Sequence, residues 1–186
     1  MPIGKIRKAS VICLIKLMEQ NLIEKDKLTI LLPEIINKLK SPLDDDWGND
    51  LRFAAVVLLS KIMAFMGEDM DRDGFNEIYP ELLKRLDDAQ DGIRVEACKA
   101  FEVLFTYLQD PWSSSLYPYT IKQIFIHIDD PNPAIQQAIV SLLEKSCRVQ
   151  TDDFIEIARD YETKCSHTVL VKNLLEFAVK HRNSRR

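Results

Sequence analysis

The residue pair Ile6-Arg7 returns as Leu51-Arg52, Ile93-Arg94 and Ile135-Gln136, at spacings of 45, 42 and 42 residues. A period of about 40 residues marks an array of small supersecondary units, and it limits the possible folds more than any other feature of the chain. The positions that follow keep helical spacing. Three residues past the second member stand Ser10, Ala55, Ala97 and Ile139; seven past stand Leu14, Leu59, Phe101 and Leu143; ten past stand Leu17, Ile62, Leu104 and Ser146. Small residues early and large ones later describe a helix that approaches its neighbour closely at one end.

A second helical pattern precedes three of these copies. It reads Leu32 to Leu39, Tyr79 to Leu86 and Ile121 to Ile128. The apolar pairs Ile35-Ile36, Leu82-Leu83 and Ile124-Phe125 align. Three residues after the first member of each stand Lys38, Arg85 and His127. Pro33 and Pro80 are expected in the first helical turn, where a missing N–H costs nothing. Each unit is thus a helical hairpin, and neither helix can bury its apolar stripe alone. The expected fold class is all-α: an α-solenoid of stacked antiparallel helical hairpins, with no sheet.

Composition agrees. Of 186 residues, 46% are hydrophobic and 29% charged, which excludes disorder over the whole length. Five Gly and 8 Pro are too few for many short strands and tight turns. A net charge of −4 argues against electrostatically driven binding of nucleic acid. No apolar run reaches the ~18 residues of a membrane span; the longest, Phe53 to Met66, contains Ser60 and Lys61. Lys5, Arg7 and Lys8 precede Val11 to Ile15, but Lys16 interrupts, so no secretory signal is read there. Four irregularly spaced Cys read as reduced thiols, and the expected location is cytoplasmic.

The pattern of these units resembles the HEAT repeat family. That family carries a Pro early in the first helix, an Asp in the turn within the repeat, and an Arg six residues later. Here stand Asp46 with Arg52, and Pro80 with Asp88 and Arg94. The next copy keeps Asp130 but has Gln136 at the Arg position and Lys122 at the Pro position, with Pro118 a turn earlier. The resemblance implies that Asp46, Arg52, Asp88, Arg94 and Asp130 form a structural ladder between neighbouring repeats. Arg94 is expected to bridge repeats and Arg85 to lie on a solvated face. The residues agree in part, since an Asp just before a helix caps orphan N–H groups and suits the dipole.

The expected organisation is one HEAT-repeat array over 1–186. Residues 3–24 are the second helix of a truncated repeat. Residues 28–67, 76–109 and 116–148 are repeats, 152–181 a degenerate C-terminal capping hairpin, and 182–186 a basic tail. A lone amphipathic helix at the start reads as the continuation of a longer array. Tyr79 to Asp88 and His127 to Gln136 are similar to the last repeats of family members that assemble axonemal dynein arms. The resemblance implies a non-enzymatic scaffold with protein partners, among them dynein subunits or chaperone machinery, and no cofactor.

Asp69, Asp71, Asp73 and Gly74, followed by Glu77, match the opening of an EF-hand calcium loop. The twelfth position needs a bidentate Glu and is Pro80, and the eighth is Asn76, so a polar inter-repeat loop is the stronger reading. Cys13, Cys98 and Cys147 fall in second helices, where Cys acts as a small hydrophobe. Cys165 and His167 alone are far short of four metal ligands. Ser113 to Ser115 lack a nucleophile-elbow context, and no glycine-rich phosphate loop exists. No catalytic residue is assigned.

Two features suit partner binding. The turn from Leu43 to Asp50 is about five residues longer than its counterpart in the next repeat, and it carries Trp47 among carboxylates. Trp47 is either a partner-facing anchor or a ring folded over the hairpin end. Pro111-Trp112 poses the same choice. Asp44, Asp45, Asp87 and Asp129 add to the capping Asp residues of successive turns, and a solenoid would set them along one acidic edge. Two alternatives remain: a microtubule-associated HEAT module, disfavoured by acidic turns against acidic tubulin, and a calcium-responsive adaptor through Asp69 to Glu77.

Overall fold

The computed structural model describes residues 2–45, 48–108 and 115–184. Among them are nine α-helices, two short 3-10 turns and no strand. The chain divides into two compact units, Met1–Tyr107 and Leu108–Arg186. The all-α expectation is met within each.

The first unit holds α1 (Pro2–Glu19), α2 (Lys25–Leu43), α3 (Asn49–Met66), α4 (Arg72–Leu86) and α5 (Asp91–Tyr107). Helices α2 and α3 form one hairpin, and α4 and α5 the next. First helix lies on first helix, α2 against α4. Second lies on second, α1 against α3 and α3 against α5. Helix α3 therefore has neighbours on three sides, and its sequence shows it. Leu51, Ala55, Val56, Leu58, Leu59, Ile62, Met63 and Met66 are all buried, which is why its apolar residues extend well beyond a single stripe. Ala55 and Ala97 are fully buried near the start of α3 and α5, where small side chains let two backbones come close. Gly67 ends α3 at a φ of +56°, a left-handed conformation that favours glycine, and its N–H bonds the Met63 carbonyl.

The second unit holds α6 (Leu116–Phe125), α7 (Pro133–Ser146), α8 (Thr151–Tyr161) and α9 (Thr168–Ser184), with a 3-10 turn at Ile126–Asp129. The same scheme repeats: α6 packs on α8, and α7 on α9. Phe125 sits 5.7 Å from Phe154 and 4.7 Å from Tyr161, ring centre to ring centre, and ties the first helices together. The buried Tyr117 hydroxyl donates to the Ser146 carbonyl at 2.9 Å, satisfying an acceptor at the end of α7. Burial pushes the Tyr117 phenol well above its ordinary range.

Three expectations need correction. Pro33 and Pro80 lie in the interior of α2 and α4, not in the first turn. Each forfeits one intrahelical bond, a loss of about 3 kcal/mol in an isolated helix. The helices extend upstream regardless, because Leu28 and Leu32, and likewise Phe75 and Ile78, are buried ahead of the proline. Pro118 does occupy the first turn of α6, and Pro133 opens α7. Secondly, residues 72–77 are not a loop: α4 begins at Arg72. Thirdly, the basic end is helical through Ser184, with Arg182 reaching Asp152 of α8 at 3.5 Å. Cys98 and Cys147 are buried as expected of small hydrophobes, whereas Cys13 is exposed.

Enlarging the close approach tests this packing. Ala97→Leu should destabilise by about 1–3 kcal/mol, since a filled core has no room for added methylenes. A lowered urea midpoint at unchanged slope is the expected reading.

Candidate protein-interaction site

The turns joining the helices of each hairpin carry the candidate binding carboxylates, and the geometry there is specific. Arg52 on α3 reaches the next hairpin. Its Nε donates to Asp88 Oδ2 at 2.8 Å and its Nη2 to Asp88 Oδ1 at 2.9 Å, a bidentate pair with side chains only 8% and 2% exposed. Nη1 donates to the Asp45 carbonyl at 2.7 Å, holding the turn of its own hairpin. Asp88 also accepts the Gln90 amide at 3.0 Å. Burial disfavours the ionised Asp88 carboxyl, but Arg52, the Gln90 amide and Arg85 outweigh it and hold the group below the usual carboxylate range.

Arg85 is a correction. It is not on a solvated face. Its Nη1 donates to the Leu43 carbonyl at 2.5 Å and lies 3.4 Å from Asp88; its Nη2 donates to Asp44 at 3.2 Å. One cation thus closes the C-terminus of α2, where the helix dipole is negative, and joins two turns. Asp44, offered as a partner contact, already serves Arg85 and lies 3.9 Å from Lys84. The alignment held a signal for this: Lys38, Arg85 and His127 share one column.

Arg94 donates to Asp91 at 2.6 Å within its own helix. Asp87 is exposed beside the buried Asp88. Asp130 accepts the Asn132 amide at 2.8 Å, and Asn132 in turn caps α7 through the Ala134 amide. Asp88 and Asp130 thus each close a turn by accepting the amide two residues ahead. Gln136, standing where Arg is expected, donates to the Ile128 carbonyl at 3.2 Å and reaches the Asp130 carbonyl at 3.5 Å. It holds its own turn without charge. Asp129 accepts the backbone amides of Ser166 and His167 at 2.9–3.0 Å and meets His167 Nδ1 at 3.1 Å. It bridges the turn before α7 to the loop between α8 and α9. Asp46, Trp47, Pro111, Trp112, Ser113 and Ser114 lie outside the described residues.

The four carboxylates of the calcium-like segment line one small pocket beside α2 but are not grouped as metal ligands. Asp69 pairs with Lys25 at 2.5 Å and Glu77 with Lys40 at 2.8 Å, both lysines on α2. Asp71 caps α4 through the Gly74 amide at 2.7 Å, and Asp73 is exposed. Among the described residues no group of three or more His, Cys, Asp or Glu is placed to hold a metal ion. No described helix is long and apolar enough to cross a membrane.

These bonds predict how the turns respond to substitution. Arg52→Ala should destabilise by about 3–5 kcal/mol, because Asp88 is left buried and short of a cation. Arg85→Ala should cost about 1.5–3 kcal/mol, well above the ~0.5 of a solvated side chain. Asp88 is held low in the fold, so its contribution is complete above the unfolded carboxyl value and is lost as pH falls through the lower folded one. The Arg52→Ala penalty should therefore be full at pH 7 and shrink below about pH 4, measured by urea titration at each pH.

No protein-family model and no solved structure matches the chain. Curated proteins do. The chain is 27% identical over 150 residues to "Dynein axonemal assembly factor 5" of Xenopus laevis, covering 78% of this chain and 18% of that protein. The same-named proteins of Mus musculus and Homo sapiens are 25% and 28% identical, each over 75% of this chain and 17% of the relative. The chain thus spans less than a fifth of the length of the curated relatives it matches.

Proposed function

We propose that the protein is a non-enzymatic, cytoplasmic scaffold that binds protein partners during assembly of axonemal dynein arms. Its partners are dynein subunits or the chaperone machinery that folds them. The similarity to three dynein axonemal assembly factors over about three quarters of the chain carries this reading. Two units of packed helical hairpins support it, because such stacks offer extended faces without a catalytic cleft. Affinity capture from an extract of ciliating cells tests it. Dynein arm chains or their chaperones should be enriched over a matched control; cosedimentation with microtubules in place of that enrichment would favour the tubulin-binding alternative.

Within this scaffold Trp47 is the candidate anchor, with Asp45 and Asp87 as steering carboxylates towards a basic partner surface. Asp44 and Asp129 belong to the same acidic set, and their carboxylates also hold neighbouring hairpins. Trp47→Ala should weaken capture of the dynein-arm partner by ~2 kcal/mol or more with an unchanged melting temperature. A steep fall in melting temperature at unchanged affinity would assign the ring to the core instead.

A further inference from the structure

In the second unit, helix α6 and the 3-10 turn that continues it leave two large side chains open. Tyr119 is 53% exposed and Ile126 is 59% exposed. They stand seven residues apart and therefore lie on one side of the helix, with the exposed Lys122 between them. Beside Lys122 a groove of about 120 Å³ runs between α6 and α8. Pro118 and Lys122 line it from α6, and Asp153, Glu156, Ile157 and Asp160 line it from α8. The two helices are already packed on one another, so a hairpin stacked before or after them would leave the groove between them open.

The equivalent groove of the first unit, between α2 and α4, shows how such carboxylates are answered within the chain. There Asp69 pairs with Lys25 at 2.5 Å and Glu77 with Lys40 at 2.8 Å, both lysines on the facing first helix. The α6–α8 groove lacks that complement. Asp153, Glu156 and Asp160 recur at i, i+3 and i+7 and so share one stripe of α8. Asp160 lies 3.7 Å from Lys164, four residues further on, and Asp153 and Glu156 form no ion pair among the described residues. Lys122 is the one cation in the lining, against three carboxylates. An exposed aromatic and an exposed aliphatic side chain thus adjoin a stripe of charge that the fold leaves uncompensated. That combination suits a protein interface, where aromatic side chains are enriched and opposite charges meet across the contact.

We infer that this face docks a basic amphipathic helix of a protein partner, laid antiparallel to α8 over the groove between α6 and α8. Lys or Arg at i, i+4 and i+7 of that helix meets Asp160, Glu156 and Asp153 in turn, and apolar residues on its adjoining stripe cover Tyr119 and Ile126. Charge selects this occupant. The chain's own lysines complete the equivalent groove of the first unit, whereas here the matching cations have to arrive with the partner. The site is independent of which assembly the protein serves.

The probe is a fluorescein-labelled helical peptide with Lys at i, i+4 and i+7 and Leu at i+1, i+5 and i+8 in an Ala–Gln background. Its anisotropy is titrated with the full 186-residue protein at physiological salt. Saturable binding is expected. Glu156→Lys should weaken it about tenfold or more, and Tyr119→Ser about tenfold. Both positions are exposed, and an unchanged thermal melt confirms that each variant folds. Glu176→Lys, at an exposed site on α9, makes the same change in net charge and should leave binding unaltered. A probe with Glu at i+4 should recover most of the loss with the Glu156→Lys protein. Absence of saturable binding, or an equal loss with Glu156→Lys and Glu176→Lys, overturns the inference. So does concentration-dependent self-association that Glu156→Lys abolishes, which would make a second copy of the chain the occupant.

Discussion

A pair of antiparallel helices can bury one stripe of each helix between them, and both remain apolar on the outside. That constraint governs the rest of this structure. The surplus apolar faces are covered only when hairpins stack, first helix on first and second on second, and α3 shows the consequence in a sequence that is apolar on nearly every side. Stacking brings the connecting turns of successive hairpins together, and those turns carry backbone groups that no helix satisfies. The polar residues of the turns meet that demand. Arg52 spans two hairpins, with Asp88 on one side and the Asp45 carbonyl on the other. Arg85 closes the end of α2 from the hairpin that follows.

The same logic recurs in the second unit with different chemistry. Gln136 takes over part of the work of Arg52 but donates only to carbonyls of its own turn. Asp129 supplies the link to the next hairpin by accepting two backbone amides. An uncharged residue suffices for holding a turn, whereas Arg52 also reaches a carboxylate in the neighbouring hairpin. The acidic character of the turns is therefore largely structural. Asp44, Asp88, Asp129 and Asp130 each hold an amide or a cation; Asp69 and Asp71 do likewise on the connection between α3 and α4, and Glu77 within α4. Carboxylates already engaged in this way are poorly disposed to gather round a metal ion.

Much of this was legible in the residues. The 42-residue recurrence located the hairpins, because helical period and apolar stripe are local properties of sequence. Helix starts were less legible. Pro33 and Pro80 look like first-turn residues, yet burial of Leu28 and Phe75 outweighs the lost hydrogen bonds and carries each helix upstream. Arg85 was misread because its own helix places it on the polar side; only the neighbouring hairpin reveals the Leu43 carbonyl it serves. The amides of Ser166 and His167 that bind Asp129 have no side-chain signature at all. Contacts between hairpins, unlike contacts within a helix, are written in the packing and emerge only when hairpins stack.

Cross-hairpin bonds at the turns fix the stack, with the Arg52–Asp88 pair as their principal member. A double-mutant cycle of Arg52→Ala and Asp88→Ala by urea denaturation measures this directly. Coupling of about 1–3 kcal/mol between the two substitutions is expected for a buried, bidentate pair in direct contact. Penalties that add to within about 0.5 kcal/mol would contradict it and leave the stack resting on apolar burial alone.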